Sequence, residues 1–151
     1  MLNAATRLVL LFALLAGGCA RTPVANPPAS SASRDATEVA ASMVGKPYRY
    51  GGSTPQGFDC SGLVYFSFQR AGIQVPRSTE RLRKQGQPVA TAHATRGDLL
   101  FFNQEGRYSS HVGIYLGNNR FVHAPSSGKR VRVDSLTDPY WRKNWVGVRR
   151  F

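Results

Sequence analysis

Near Arg96 the spacing of apolar residues changes from helical to alternating, and this change limits the fold more than any other feature of the chain. Upstream, Asp35 is placed to cap a helix running through Val44. Gly45, Pro47, Gly51, Gly52, Pro55 and Gly57 then mark an irregular loop. From Cys60 onward Leu63, Val64, Phe68 and Ala71 share one helical face, and Gly72 ends the run. A short helix is expected after Thr79. Downstream, Leu99 to Phe102, His111 to Leu116, Arg120 to Ala124, Val131 to Val133 and Val146 to Arg149 read as short strands. Helices first and strands second predict an α+β fold, with N-terminal helices packed on a central antiparallel sheet of about five strands.

Residues 1–34 stand apart from that pattern. Leu8 to Ala16 is an apolar run flanked by Arg7 and followed by Gly17, Gly18 and Cys19. Positive charge, a short apolar core and small residues before a cut site make a signal peptide, assigned to residues 1–18. The string Leu15-Ala16-Gly17-Gly18-Cys19 resembles the lipobox of bacterial lipoproteins, which implies lipidation of Cys19. By that resemblance the mature chain is periplasmic and tethered to the outer membrane; the alternative is secretion without the lipid. Residues 19–34, rich in Pro, Ala and Ser, are expected to form a flexible tether, and residues 35–151 the folded domain. No apolar run reaches the roughly 18 residues of a spanning helix, which excludes a multi-pass membrane protein. The net charge of +12 suits attraction to acidic partners; with an export signal, nucleic acid is not the expected one.

The chain has two cysteines. Once Cys19 is set aside, Cys60 has no partner within the chain, and an unpaired thiol in an exported protein points to a reactive one. Cys60 is the first helical residue after Asp59, read as the N-cap. The helix N-terminus favours thiolate, which Asp59 opposes through its own charge. The thiol also needs a group that takes its proton and returns it to a leaving amine, and His111 and His123 are the candidates. Their meeting depends on the hairpin between them. A two-residue turn pairing Gly117 with Arg120 puts the rings on opposite faces. A three-residue loop, Gly117 to Asn119, pairs Leu116 with Arg120 and puts both on one face, with Gly113 leaving room for them. We therefore expect the odd-length loop, with His111 as base and His123 orienting it. A zinc site built from Cys60, His111 and His123 is the rival reading, but no compact ligand spacing supports it, so no metal and no cofactor is expected.

Gly57-Phe58-Asp59-Cys60-Ser61-Gly62 follows Pro47-Tyr48-Arg49-Tyr50-Gly51-Gly52 and precedes Arg96-Gly97-Asp98-Leu99 and His111-Val112-Gly113-Ile114-Tyr115. In this order and spacing the motifs resemble the NlpC-type bacterial cell-wall cysteine peptidases. Asn118-Asn119-Arg120-Phe121-Val122-His123-Ala124 and Pro139-Tyr140-Trp141 are most similar to the murein endopeptidase lipoproteins within that family. The resemblance implies a papain-like fold with Cys60 as nucleophile, His111 as base and His123 as third member. It also implies that the Tyr48 hydroxyl helps bind the oxyanion. Ser61 is placed either against substrate or in the helix's first turn, and Tyr50 is expected to pack. Asp98 is expected to bond loop backbone, Arg77-Ser78-Thr79 to line the cleft, and Trp141 and Trp145 to pack the end of the sheet.

By the same resemblance the partners are peptidoglycan stem peptides. A monomer is expected, and because an unregulated wall hydrolase is lethal, a regulatory protease or adaptor is a further candidate partner, although no residue announces one. The expected bond is the D-alanine–diaminopimelate cross-link. The alternatives are the γ-D-glutamyl–diaminopimelate bond and, outside catalysis, a peptidoglycan-binding scaffold.

Overall fold

The computed structural model describes residues 30–151, so the signal and lipid readings on residues 1–29 lie outside the described residues. The first helix, α1 (Ser31–Ser42), starts earlier than Asp35: Ser30 is its cap and accepts a hydrogen bond from the Ser33 backbone N–H at 3.1 Å. Ser31 to Arg34, expected in the tether, are thus helical. Ser33 is buried and donates to the Phe151 carbonyl at 3.0 Å, which ties the start of the domain to its end.

A small hairpin follows, β1 (Ser53–Thr54) with β2 (Gly57–Phe58). Helix α2 (Cys60–Arg70) begins where its cap predicts, and α3 (Thr79–Gln85) follows Ser78, its own cap. The strands are β3 (Gln87–Val89), β4 (Leu99–Gln104), β5 (Arg107–Gly117), β6 (Arg120–His123), β7 (Arg132–Ser135) and β8 (Trp145–Arg150). Helix α4 (Pro139–Asn144) precedes β8. The strands form one antiparallel sheet in the order β3-β8-β4-β5-β6-β7, six strands where five were expected. The sixth is β3, which carries Pro88 and pairs only with β8, a position where a missing N–H is tolerated.

Both faces of the sheet are covered. Ala36 and Ala40 of α1 and Leu63, Val64 and Phe68 of α2 pack on Leu99, Phe101, Val112, Ile114 and Val122. On the other face Leu100, Phe102, Phe121 and Val148 pack against Trp141 of α4. The alternation along β4 therefore feeds two cores, which explains why its first four residues are all buried.

Asp98 is fully buried and binds Arg150 through two contacts of 2.7 Å, while its Oδ2 accepts from the Thr95 N–H. This carboxylate holds loop backbone, as expected, and also anchors the last strand. Removing one partner leaves the other charge buried, so Asp98→Ala is expected to destabilise the domain by about 3–5 kcal/mol. Urea denaturation midpoints of the two chains check this.

Candidate active site

The site lies in a cleft of about 720 Å³. Tyr48, Cys60, Ser61 and Thr79 line it from the helical side, and Gln104, Ser110, His111 and Pro125 from the sheet.

Asp59 sets the position of Cys60. Its Oδ1 accepts from the Gly62 N–H at 2.6 Å, capping α2, and its Oδ2 accepts from the Gly51 N–H at 2.9 Å. Arg77 donates to both oxygens at 2.9 Å and also to the Ser61 hydroxyl and the Gly52 carbonyl. Asp59 is therefore neutralised by a guanidinium as well as by backbone groups. A side chain at Gly62 would run into the Gly52 carbonyl, which is why the helix can seat so closely on the loop.

Cys60 is a free, half-buried thiol. Its sulfur lies 3.6 Å from the Thr79 hydroxyl, and the backbone N–H groups of Val112 and Ser61 also bond it. The Val112 contact puts the sulfur against β5 one residue from His111. Burial pushes the thiol up, and Asp59 adds to this; the three hydrogen bonds pull the other way without prevailing. The helix N-terminus was expected to favour thiolate against the opposing charge of Asp59, but desolvation outweighs it.

His111 and His123 lie on one face of the sheet, buried, with His111 Nε2 and His123 Nδ1 2.8 Å apart. The register that brings them together is the expected one, Ile114 opposite Val122 and Tyr115 opposite Phe121. The turn is different. Asn118 and Asn119 both have positive φ and form a tight two-residue turn that pairs Gly117 with Arg120. The register then shifts between Tyr115 and Gly117, leaving Leu116 over as a bulge. The extra residue thus sits in the strand and not in an odd-length loop, with the same effect on the two rings. A side chain at Gly113 would press on Phe121 and on the Val122 carbonyl, so only glycine fits there.

Asp134 was missed in the sequence. Its Oδ2 lies 3.0 Å from His123 Nε2 and also accepts from Arg132 and from the Trp141 indole. Detecting it needs the β6–β7 register, in which Arg132 and Asp134 face His123 and Phe121; no tight turn sets that register. Trp141 does more than pack the sheet's end: it stacks on His111 at 5.6 Å and meets His123 edge-on at 4.9 Å.

Other residues singled out in the sequence have these positions. Tyr48 lines the cleft near Cys60; burial raises its phenol, with Cys60 and Asp59 adding to the effect. Tyr50, expected to pack, is 89% exposed at the cleft rim. Ser61 stands in the first turn of α2, held within the Asp59–Arg77 network, and also lines the cleft. Arg77, Ser78 and Thr79 line the cleft as expected. Among the described residues no group of three or more His, Cys, Asp or Glu is placed to hold a metal ion. No described helix is long and apolar enough to cross a membrane.

Comparison with known proteins places this arrangement. The model of the NlpC/P60 family matches residues 45–150. The chain belongs to the NlpC/P60 family. It is 41% identical over 113 residues to the murein DD-endopeptidase MepH of Escherichia coli K12, a match spanning 72% of this chain and 42% of that one. It is 44% identical over 104 residues to the E. coli K12 murein DD-endopeptidase MepS/murein LD-carboxypeptidase, spanning 68% and 54%. The chain thus spans about half or less of the length of these relatives. A Staphylococcus aureus protein of the NLP/P60 family, described as similar to lipoprotein, superposes with a TM-score of 0.72 at 32% identity over 85% of this chain and 44% of that one. The NlpC/p60 domain of the peptidoglycan hydrolase SagA superposes with a TM-score of 0.68 at 30% identity, over 79% and 98%. The papain-like NlpC/P60 fold expected from the motifs is the fold observed.

Burial, then the neighbouring His123, pushes His111 well down, against the pull of Asp134; burial also lowers His123, partly offset by its bond to Asp134. Both rings are therefore neutral in the folded chain near pH 7. The unfolded chain takes up these protons below the ordinary imidazole value of about 6.5, so stability falls as pH drops through that range. The cost is at most about 1.4 kcal/mol per histidine for each pH unit below that value. Denaturant midpoints at pH 7.5 and pH 5.5 are expected to show the loss on the acid side.

Proposed function

We propose that this chain is a peptidoglycan endopeptidase that cuts stem-peptide bonds by covalent thiol catalysis. The observation that carries the reading is the shared cleft. A free thiol at a helix start and a buried imidazole line the same cleft from its two sides, and one nitrogen of the imidazole is held by a second ring. Membership of the family and the named activities of MepH and MepS support the reaction class.

In this mechanism Cys60 Sγ attacks the scissile carbonyl carbon while its proton passes to His111. The C–N bond breaks, and His111 returns the proton to the departing amine. His111 then deprotonates a water that cleaves the thioester, releasing the acid and restoring the thiol. His123 orients His111. The Cys60 backbone N–H, at the helix start outside the α-helical ladder, and the Tyr48 hydroxyl receive the oxyanion.

The bond we assign is the D-alanine–diaminopimelate cross-link, in line with the two DD-endopeptidase relatives. The γ-D-glutamyl bond is the second reading, favoured by 43% identity over 117 residues to a gamma-DL-glutamyl hydrolase of Bacillus subtilis. The chain acts as a monomer in the periplasm, held to the outer membrane through lipidated Cys19, and needs no cofactor. A regulatory protease or adaptor controls it.

Purified cross-linked muropeptides incubated with the chain are expected to yield uncross-linked products by mass spectrometry. Cys60→Ala is expected to lower turnover by at least about 10³-fold. Full turnover by that variant refutes the mechanism; binding without cleavage by the unaltered chain favours a scaffold. Tyr48→Phe is expected to lower kcat about 10²-fold with KM little changed, measured on the same substrate.

A further inference from the structure

We infer that Asp134 is a positioning residue that sets the tautomer of both imidazoles, so that His111 presents the Nδ1 lone pair as its basic site. The inference rests on the reading of Cys60 and His111 as nucleophile and base.

Four donors meet at Asp134 Oδ2: Arg132 Nε at 3.0 Å, Arg132 Nη2 at 2.7 Å, Trp141 Nε1 at 2.9 Å and His123 Nε2 at 3.0 Å. Guanidinium and indole N–H groups only donate, so this oxygen is an acceptor and carries no proton. His123 Nε2 must then carry one. A neutral imidazole has a single N–H, which leaves His123 Nδ1 as an acceptor. That nitrogen lies 2.8 Å from His111 Nε2, so His111 must donate there. The nitrogen left over is His111 Nδ1, unprotonated.

The direction of this chain of protons is set at its far end and nowhere else. With Asp134 removed, the reverse arrangement also satisfies the bond between the rings: His123 Nδ1–H donates to His111 Nε2, and His111 carries its proton on Nδ1. In that state His111 has no lone pair for the thiol. The two rings alone are thus bistable, and the carboxylate picks the productive state.

The surroundings fit this task. Trp141 packs over both rings while its indole N–H fixes the carboxylate, and Arg132 fixes it from the same strand. The other charged or titratable groups facing the pair are Lys129, from the loop before β7, and Cys60, from α2 across the cleft. Burial alone would raise the Asp134 carboxyl, but the bonds from His123 and Arg132 hold it well below its usual range, so it stays ionised through the working pH range. Asp134, Arg132, Lys129 and Trp141 also line a second cavity of about 430 Å³, which gives small anions access to the far end of the relay.

The test compares Asp134→Ala and Asp134→Asn in the intact chain on cross-linked muropeptides. Asp134→Ala is expected to lower kcat by about 10- to 100-fold, by analogy with loss of the outer partner of a metal-bound histidine, with KM unchanged. Added formate is expected to restore much of that loss by accepting the His123 proton. Asp134→Asn, whose amide oxygen can accept from the same three side chains, is expected to keep the tautomer and to lose less of kcat than Asp134→Ala, the remaining loss reporting the missing charge. Loss of the negative charge is expected to move both limbs of the pH profile of kcat/KM to lower pH in each variant.

Nitrogen-15 shifts of the two rings, read in the Cys60→Ala background, report the tautomers independently of activity. Nε2–H on both rings is expected with Asp134 present, and a mixture in Asp134→Ala. Unchanged tautomers in Asp134→Ala, or a kcat loss that formate leaves untouched, overturns the inference. If Cys60→Ala keeps full turnover while the tautomers behave as expected, the nucleophile assignment fails instead.

Discussion

A neutral imidazole sealed from water has one proton to give and one lone pair to fill, and both must be matched by fixed partners. The hydrogen bond of 2.8 Å between His111 and His123 is the point where this requirement meets the fold. It exists only because the two strands carrying the rings run in one register, with a tight asparagine turn and a one-residue bulge between them. Slipping that register by one residue would send one ring to the helical face, where Val112, Ile114 and Val122 already fill the core. The packing of α1 and α2 on the sheet thus protects the geometry of a pair lying on the opposite face.

Two networks flank the thiol, and each holds a carboxylate with an arginine. On the helical side Asp59 and Arg77 fix the start of α2, the Gly52 carbonyl and the Ser61 hydroxyl. On the sheet side Asp134 and Arg132 fix His123. Neither carboxylate bonds the sulfur, so both act by positioning. Among the described residues the groups bonded to the sulfur are neutral: the Thr79 hydroxyl and two backbone amides. The proposed reaction therefore starts from a protonated thiol.

The parts of this site that local rules govern were legible in the sequence. Asp59 as cap and Cys60 as first helical residue follow from the Gly-rich loop meeting a helical pattern, and α2 begins at Cys60. The shared face of His111 and His123 was legible because strand alternation and a short turn bound the choices to two. The turn was misassigned because a bulge can supply the odd residue as well as a loop can, and nothing local distinguishes them. Asp134, Arg132 and Trp141 were not legible as site residues. Their approach depends on a register set across the loop from Ala124 to Val131 and on where α4 docks, both decided by tertiary packing. Arg132 illustrates the difference: in sequence it belongs to a basic stretch with Lys129 and Arg130, and in the fold it is bound to Asp134.

The depressed imidazoles and the raised thiol together decide how the site rests. A thiol pushed up by burial and a base pushed down by burial favour the uncharged pair over thiolate and imidazolium. In the proposed mechanism charge separation then arises on the way to the transition state, and whatever stabilises it there acts on the rate and not on ground-state binding. Asp134 is placed for this. Its charge lies beyond His123, too far down the relay to bond the thiol, yet it favours the imidazolium that forms when His111 accepts the proton. In that mechanism one carboxylate would serve the reaction twice, by fixing which nitrogen is free before the proton moves and by opposing the positive charge once it has moved.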